Sequence, residues 1–160
     1  MPVREPDSEG VLIREMVVED VTDILAIEGR SFICPWSGRL FGETIAFPLA
    51  RNFVMCFGQD LIGYVICYFV AGEAHILNLA IAPEWRKQGC AARLLGYLIE
   101  ALAGENALAF FLEVRESNGA AIRLYQKFGF EIIGRRKNYY TETREDALVM
   151  FLEGSASTDA

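Results

Sequence analysis

Leu77-Asn78-Leu79-Ala80-Ile81-Ala82-Pro83-Glu84-Trp85-Arg86-Lys87-Gln88-Gly89-Cys90-Ala91-Ala92-Arg93-Leu94-Leu95 is the stretch on which the reading of this chain turns. An apolar run ends at Pro83, a short polar segment from Trp85 to Gln88 follows, and Gly89 closes it. Beyond it Ala91, Leu94, Leu95, Leu98 and Leu102 recur at the spacing of one helix face. The segment therefore reads as strand, turn, helix. Small residues at 89, 91 and 92 let a ligand approach the backbone where the helix begins. The first N–H groups of a helix have no partner within it, which makes that end an anion site. Arg86, Lys87 and Arg93 add positive charge. This reads as a pyrophosphate cradle; the same spacing also fits a short basic turn ahead of a core helix.

Working toward the N-terminus, Ala74 to Ala82 reads as a strand. Asn52–Phe57 and Leu61–Val70 read as a hairpin joined through Gly58-Gln59-Asp60. Val11 to Met16 predicts a first strand. Glu19 to Phe32 predicts a helix with Val21, Ile24, Leu25 and Ile27 near one face, stopped by Pro35. Ser37 suits the N-cap of a second helix carrying Leu40, Phe41 and Ile45. Toward the C-terminus, the helix after Gly89 stops at Gly104, and Ala107 to Val114 is a strand. Ser117 is expected to cap a helix with Ala121, Leu124, Tyr125 and Phe128 on one face, stopped at Gly129. Phe130–Gly134 and Ala147–Leu152 read as two final strands. The order is mixed α/β (α+β), about seven strands and about four helices, with a central unit suited to a parallel crossover.

The length, 160 residues, suits one domain, expected over residues 11–152 with flexible termini at 1–10 and 153–160. Hydrophobic residues make up 52% and charged residues 23%, an ordinary globular balance. The formal net charge of −7 argues against direct nucleic-acid binding, which needs a basic face. Cys34, Cys56, Cys67 and Cys90 lack metal-ligand spacing, so no metal is expected, and Cys56 and Cys67 sit in apolar runs that suit buried thiols. The leader is polar, and no apolar run reaches membrane-spanning length, so no membrane association and a cytoplasmic location are the default.

Arg86-x-x-Gly89-x-Ala91 resembles the acyl-coenzyme A signature R/Q-x-x-G-x-G/A of the GCN5-related N-acetyltransferase (GNAT) superfamily. His75 to Pro83 is similar to that family's fourth strand. Leu112-Glu113-Val114-Arg115-Glu116-Ser117-Asn118, Ala121 to Tyr125 and Phe128-Gly129-Phe130 are similar to its second half. Pro35-Trp36-Ser37, Arg135 to Tyr140 and Glu145-Asp146-Ala147 resemble one branch, the bacterial RimI-type ribosomal-protein S18 alanine N-acetyltransferases. The likeness spans roughly residues 11–152, nearly the whole chain.

The resemblance implies a GNAT fold in which the fourth and fifth strands splay and hold acetyl-CoA. Leu79, Ala80 and Ile81 then correspond to the backbone that meets the acetyl and pantetheine portions. Lys87, Gln88, Gly89, Cys90, Ala91 and Ala92 correspond to the pyrophosphate loop, and Asn118 to a coenzyme A contact. The second small position is Ala91, which the signature permits, and no role is derived for Cys90. Glu113 corresponds to the general base and Tyr125 to the general acid. An amine attacks a thioester only unprotonated, and a free α-amine has a pKa of about 7.7–8.0, so its proton must be removed. A carboxylate ending an apolar strand is expected to have a raised pKa and to act as base, directly or through water; a solvent-facing strand-end glutamate fits the same residue. A phenol can give a proton to the departing sulfur; a core tyrosine bonded to a carbonyl fits Tyr125 equally. Trp36, Tyr139 and Tyr140 are candidates for the acceptor groove, with the tyrosines placed in a loop before the last strand; exposed hairpin aromatics are the alternative. His75 reads as structural.

The implied activity is transfer of acetyl from acetyl-CoA to a protein N-terminal α-amine, with the N-terminal alanine of ribosomal protein S18 as the expected acceptor. A lysine side chain, a polyamine or another small amine is the alternative within the same chemistry. A non-catalytic acyl-CoA sensor is a third reading, against which stand both Glu113 and Tyr125. The oligomeric state is not legible, and a monomer is the default.

Overall fold

β-Branched and aromatic runs, punctuated by turn residues, become the strands Val11–Glu15 (β1), Phe53–Phe57 (β2), Asp60–Val70 (β3), Glu73–Ile81 (β4), Ala109–Arg115 (β5), Glu131–Tyr140 (β6) and Glu145–Glu153 (β7) in a computed structural model that describes residues 10–154. The helices are Val21–Ser31 (α1), Gly38–Ala46 (α2), Cys90–Ala103 (α3) and Gly119–Lys127 (α4). The strands form one mixed seven-stranded sheet in the order β1-β2-β3-β4-β5-β7-β6. β4 and β5 run parallel, whereas β5 with β7 and β6 with β7 are antiparallel.

The chain divides into two units, residues up to Cys67 with Asn78–Leu98, and Tyr68–Leu77 with Ile99 onward. In the first, Ile24, Phe41, Val54, Met55, Tyr64, Leu94, Leu95 and Leu98 are fully buried. Phe41 meets Tyr64 edge-on at 5.7 Å between ring centroids. Ser37 caps α2 as expected, its Oγ accepting from Leu40 N–H at 3.2 Å. Gly63 on β3 permits a close approach, because an added Cβ would lie 2.5 Å from Ile81 Cδ1 and 3.1 Å from Ala80 O.

In the second unit, Phe110, Leu112, Val114, Leu148 and Met150 form the buried side of the strands. Two helix ends show what stops them. Asn106 at φ +65°, not Gly104, provides the left-handed residue after α3: Asn106 N–H donates to Ala103 O and Ala107 N–H to Leu102 O. α4 ends the same way on Gly129 at φ +98°, with Phe130 N–H donating to Tyr125 O at 3.1 Å. Its N-cap is Asn118 rather than the expected Ser117, with Oδ1 accepting from Ala121 N–H at 3.2 Å.

The last hairpin departs furthest from expectation. β6 continues through Arg135–Tyr140, so Tyr139 and Tyr140 lie in a strand, not in a loop. β6 is an edge strand exposed along nearly its whole length, so apolar alternation could not mark it. A bulge at Asn138, φ +52°, is pinned by its N–H donating to Asp146 Oδ1 at 2.9 Å. Of the expected flexible tail, Glu153 is in β7, and Gly154 N–H donates to Leu108 O at 2.8 Å. At the other end, Gly10 O accepts from Gly58 N–H. The expected flexible segments 1–9 and 155–160 lie outside the described residues.

Candidate active site

The turn before α3 is built by two residues in the left-handed region, Lys87 at φ +60° and Gly89 at φ +84°. A Cβ on Gly89 would meet nothing within 4 Å, so its backbone faces open space. The first intrahelical bond of α3 is Arg93 N–H to Gly89 O at 3.0 Å. The N–H groups of Cys90, Ala91 and Ala92 precede it and are the orphan donors of the first turn. That arrangement fits a pyrophosphate. Gln88 Nε2 donates to Glu84 O, and its Oε1 is the buried side-chain polar atom left unpartnered among the described residues. Cys90 is buried, its thiol pushed up by desolvation.

Arg86 does something the spacing did not reveal. Its Nε donates to Ile81 O at 3.0 Å and its guanidinium to Ser31 Oγ at 3.0 Å. It ties the turn to the end of β4 and the end of α1. Ala80 and Ile81 are buried and Leu79 is half-buried.

Beside this strand end sits a buried carboxylate that sequence reasoning missed. Glu28 on α1 is 1% exposed. Tyr64 O–H and Asn78 Nδ2 donate to its Oε1, the latter at 2.9 Å, and Trp36 N–H donates to Oε2 at 2.9 Å. It joins α1, β3, β4 and the α1–α2 connection. Trp36 itself is half-buried against Phe41, with ring centroids 5.3 Å apart. A glutamate in a helix carries no periodic signature of this role, since its partners lie 8, 36 and 50 residues away.

In the second unit the register places Glu113. His75 on β4 pairs with Phe111 on β5, and Glu113 is two residues further along the same face. Diagonal neighbours of this kind are within reach of long side chains. His75 Nε2 lies 2.6 Å from Glu113 Oε2. Across β7, Glu113 pairs with Val149 and Val149 with Gly134, while Ala147 faces both Arg115 and Arg136. Arg136 Nε, one strand further on, comes within 3.5 Å of Glu113 Oε1.

The expectation of a raised Glu113 pKa is reversed. The His75 hydrogen bond, with charge from His75 and Arg136, holds its carboxyl below the usual range despite desolvation. The premise was also incomplete: β5 runs on to Arg115, and the face shared by Phe111, Glu113 and Arg115 is half-open, the buried face being Phe110, Leu112 and Val114.

Tyr125 is buried, and the end of α4 fixes it. Its carbonyl accepts from Phe130 N–H, and its ring meets Phe130 edge-on at 5.5 Å. Burial pushes its phenol up to about 12, with Tyr140 adding to the shift. Tyr140 is likewise pushed up to about 12 by burial, although Arg115 lies 3.9 Å over its ring. Tyr139 is exposed and packs edge-on against Tyr140 at 5.1 Å. Asn118, expected at coenzyme A, uses Oδ1 as the α4 cap. Among the described residues no group of three or more His, Cys, Asp or Glu side chains could hold a metal ion.

Comparisons with known proteins accord with this architecture. Residues 21–130 match the acetyltransferase (GNAT) family. The chain is 36% identical over 138 residues to the [ribosomal protein bS18]-alanine N-acetyltransferase of Escherichia coli (strain K12), covering 83% of this chain and 93% of that protein. The crystal structure of the ribosomal-protein-S18-alanine N-acetyltransferase from Escherichia coli matches with a TM-score of 0.85 at 34% identity, over 91% of this chain and 94% of that one. Ard1 from Thermoplasma volcanium matches with a TM-score of 0.85 at 26% identity, over 90% and 97%. With its family match running from α1 to the end of α4 and full-length relatives of the same fold, the chain belongs to the acetyltransferase (GNAT) family.

Proposed function

We propose that this chain transfers the acetyl group of acetyl-CoA to the N-terminal α-amine of a protein, by direct attack in a ternary complex. The acceptor we assign is the N-terminal alanine of ribosomal protein S18, on the strength of the likeness to the Escherichia coli enzyme over nearly its full length. The observation that carries the reading is the turn at Lys87 and Gly89, whose backbone faces open space where the first N–H groups of α3 are left for an anion.

The N–H groups of Gly89 to Ala92, with Lys87 beside them, bind the pyrophosphate, and Asn118 contributes a further coenzyme A contact. Backbone N–H groups of Leu79 to Ile81 donate to the thioester oxygen as its charge grows. Glu113 takes the ammonium proton as general base, directly or through water. The amine nitrogen bonds to the carbonyl carbon, the carbon–sulfur bond breaks, the Tyr125 phenol gives its proton to the sulfur, and the second proton lost by the nitrogen restores the phenol. Trp36, Tyr139 and Tyr140 border the acceptor. The reading needs no nucleic-acid contact, consistent with a net charge of −7, and places a monomer in the cytoplasm with its ribosomal substrate. Among the described residues no helix is long and apolar enough to cross a membrane.

The test is acetyl transfer to a peptide with a free N-terminal alanine, beside the same peptide N-terminally blocked with a free lysine. Mass spectrometry locates the product. Acetylation at the α-amine alone is expected; acetylation at lysine alone, or none, overturns the acceptor assignment.

A further inference from the structure

We propose that Glu28 is a positioning residue for the acceptor: its carboxylate holds the α1–α2 connection at Trp36 against the end of β4, and so sets how large a first residue the site admits. The proposal rests on the acetyl-transfer reading above and deepens it on the acceptor side.

A glutamate is almost never fully buried unless its oxygens are partnered, and Glu28 is buried although no step of the transfer uses it. Its partners come from three places. Tyr64 O–H on β3 and Asn78 Nδ2 on β4 share Oε1, and Trp36 N–H in the α1–α2 connection donates to Oε2. All of these residues lie in the first unit. Asn78 directly precedes Leu79 to Ile81, the strand end assigned above to the thioester oxygen. One rigid carboxylate therefore fixes the connection relative to the reacting centre. The Trp36 ring closes the circuit: it packs on Phe41, and Phe41 meets the ring of Tyr64.

The connection needs such an anchor. Ile33, Cys34 and Pro35 are exposed, and α2 begins only after the Ser37 cap. Trp36 is the point at which this exposed run is pinned, through Glu28, to Asn78 on β4. α1 itself is held by other means. Ile24 and Ile27 are buried on its inner face. Its last turn is tied to the β4–α3 connection by Arg30, whose guanidinium donates to both oxygens of Glu84 at 3.0 and 2.9 Å, and by Ser31 Oγ, which accepts from Arg86 at 3.0 Å. Those ties stay when the Glu28 carboxylate is removed. α1 and the coenzyme turn keep their places, and the connection at Trp36 is what is freed. A freed wall no longer excludes a long first side chain and no longer holds a short one in place for attack.

The experiment compares wild type, Glu28→Met, Glu28→Asp and Tyr64→Phe on two peptides that differ only in the first residue, alanine or leucine. Thiol release gives kcat and KM, calorimetry gives acetyl-CoA affinity, and circular dichroism with thermal unfolding checks the fold. Glu28→Met keeps the length of the side chain and removes both acceptor oxygens. Glu28→Asp keeps a carboxylate one methylene too short to span its partners, and decides the matter if the first variant does not fold. Tyr64→Phe removes one donor to the carboxylate and leaves the Trp36 and Asn78 contacts in place. In both Glu28 variants, KM for the alanine peptide is expected to rise about tenfold, the scale of one lost hydrogen bond. Their preference for alanine over leucine in kcat/KM should fall about tenfold, with acetyl-CoA affinity within about twofold of wild type. Tyr64→Phe should lower Tm and keep the preference. An unchanged preference in a folded Glu28 variant overturns the proposal. So does an acetyl-CoA affinity that falls as far as the peptide KM rises, or an equal loss of preference in Tyr64→Phe, since either would mean a general loss of structure. A wild-type chain that acetylates both peptides equally well also overturns it, and leaves acetyl transfer to α-amines standing. Failure of the parent reading looks different: the wild-type chain acetylates neither N-terminus.

Discussion

Replacing Gly89 by alanine separates a ligand-binding role for the turn from a purely structural one. The added Cβ meets no atom within 4 Å, so steric conflict in the free protein is absent. The remaining cost is backbone strain, since φ is +84° and an L-residue there loses about 1–2 kcal/mol. For a chain of this size that lowers Tm by about 2–4 °C per kcal/mol. If the N–H groups of this turn hold a pyrophosphate, the methyl group or a relaxed turn also removes a hydrogen bond to a charged group, worth about 1.5–3 kcal/mol. Acetyl-CoA affinity should then fall about tenfold to about a hundredfold. Gly58→Ala is the control: φ is +61° with nothing within 4 Å of its Cβ, so the strain is comparable in the β2–β3 turn. Thermal unfolding and titration calorimetry with acetyl-CoA are run on both. Equal Tm losses with an affinity loss confined to Gly89→Ala are expected. An acetyl-CoA affinity within about twofold of wild type in Gly89→Ala would refute the anion-site assignment for the start of α3.

Further outcomes follow from the same geometry. Glu113→Gln should cut kcat by about 100-fold or more with acetyl-CoA affinity nearly intact; equal loss of both would point to folding damage instead. Because the folded pKa of Glu113 lies below that of the unfolded carboxyl, about 4.3, its stabilising contribution is present above that value and lost as pH falls through the folded one. Urea midpoints between pH 5 and pH 3 should therefore drop more steeply for wild type than for Glu113→Gln, and parallel curves would contradict the shift. Tyr125→Phe should slow turnover by about tenfold to about a hundredfold while the fold persists, and an unchanged rate would remove the phenol from the mechanism. Glu28→Gln turns an amide group toward one of three donors in a fully buried site, which should cost about 1–3 kcal/mol of stability by thermal unfolding. No measurable change would mean that the site relaxes or admits water.

Elements with a buried face were legible in the sequence. The periodicity from Ala91 to Leu102 became α3, because burial on one side imposes a repeat that residue types record, and the β-branched and aromatic runs of the centre became β2 and β3, which are buried on both faces. Ser37 could be assigned as a cap because its signal is local. β6 was cut short because an exposed edge strand has no buried face to write a pattern. α3 ends at Ala103, ahead of Gly104 as read, although the left-handed residue that closes its end is Asn106 rather than the glycine.

The candidate site divides along the same line. The sequence by itself determined the family, and it supplied the candidate coenzyme turn with Gly89 at its close and the candidates Glu113 and Tyr125, because each lies inside a contiguous motif. Only the tertiary structure decided what those residues touch. It brought His75 to Glu113 through a parallel register 38 residues apart, set Arg136 within reach of Glu113 across β7, and tied Arg86 to the end of β4. It also reversed the direction of the Glu113 shift. The physical reason is that residue type records burial and local backbone demands, whereas a pKa and a hydrogen-bond partner depend on charges within a few ångströms, wherever in the chain they originate.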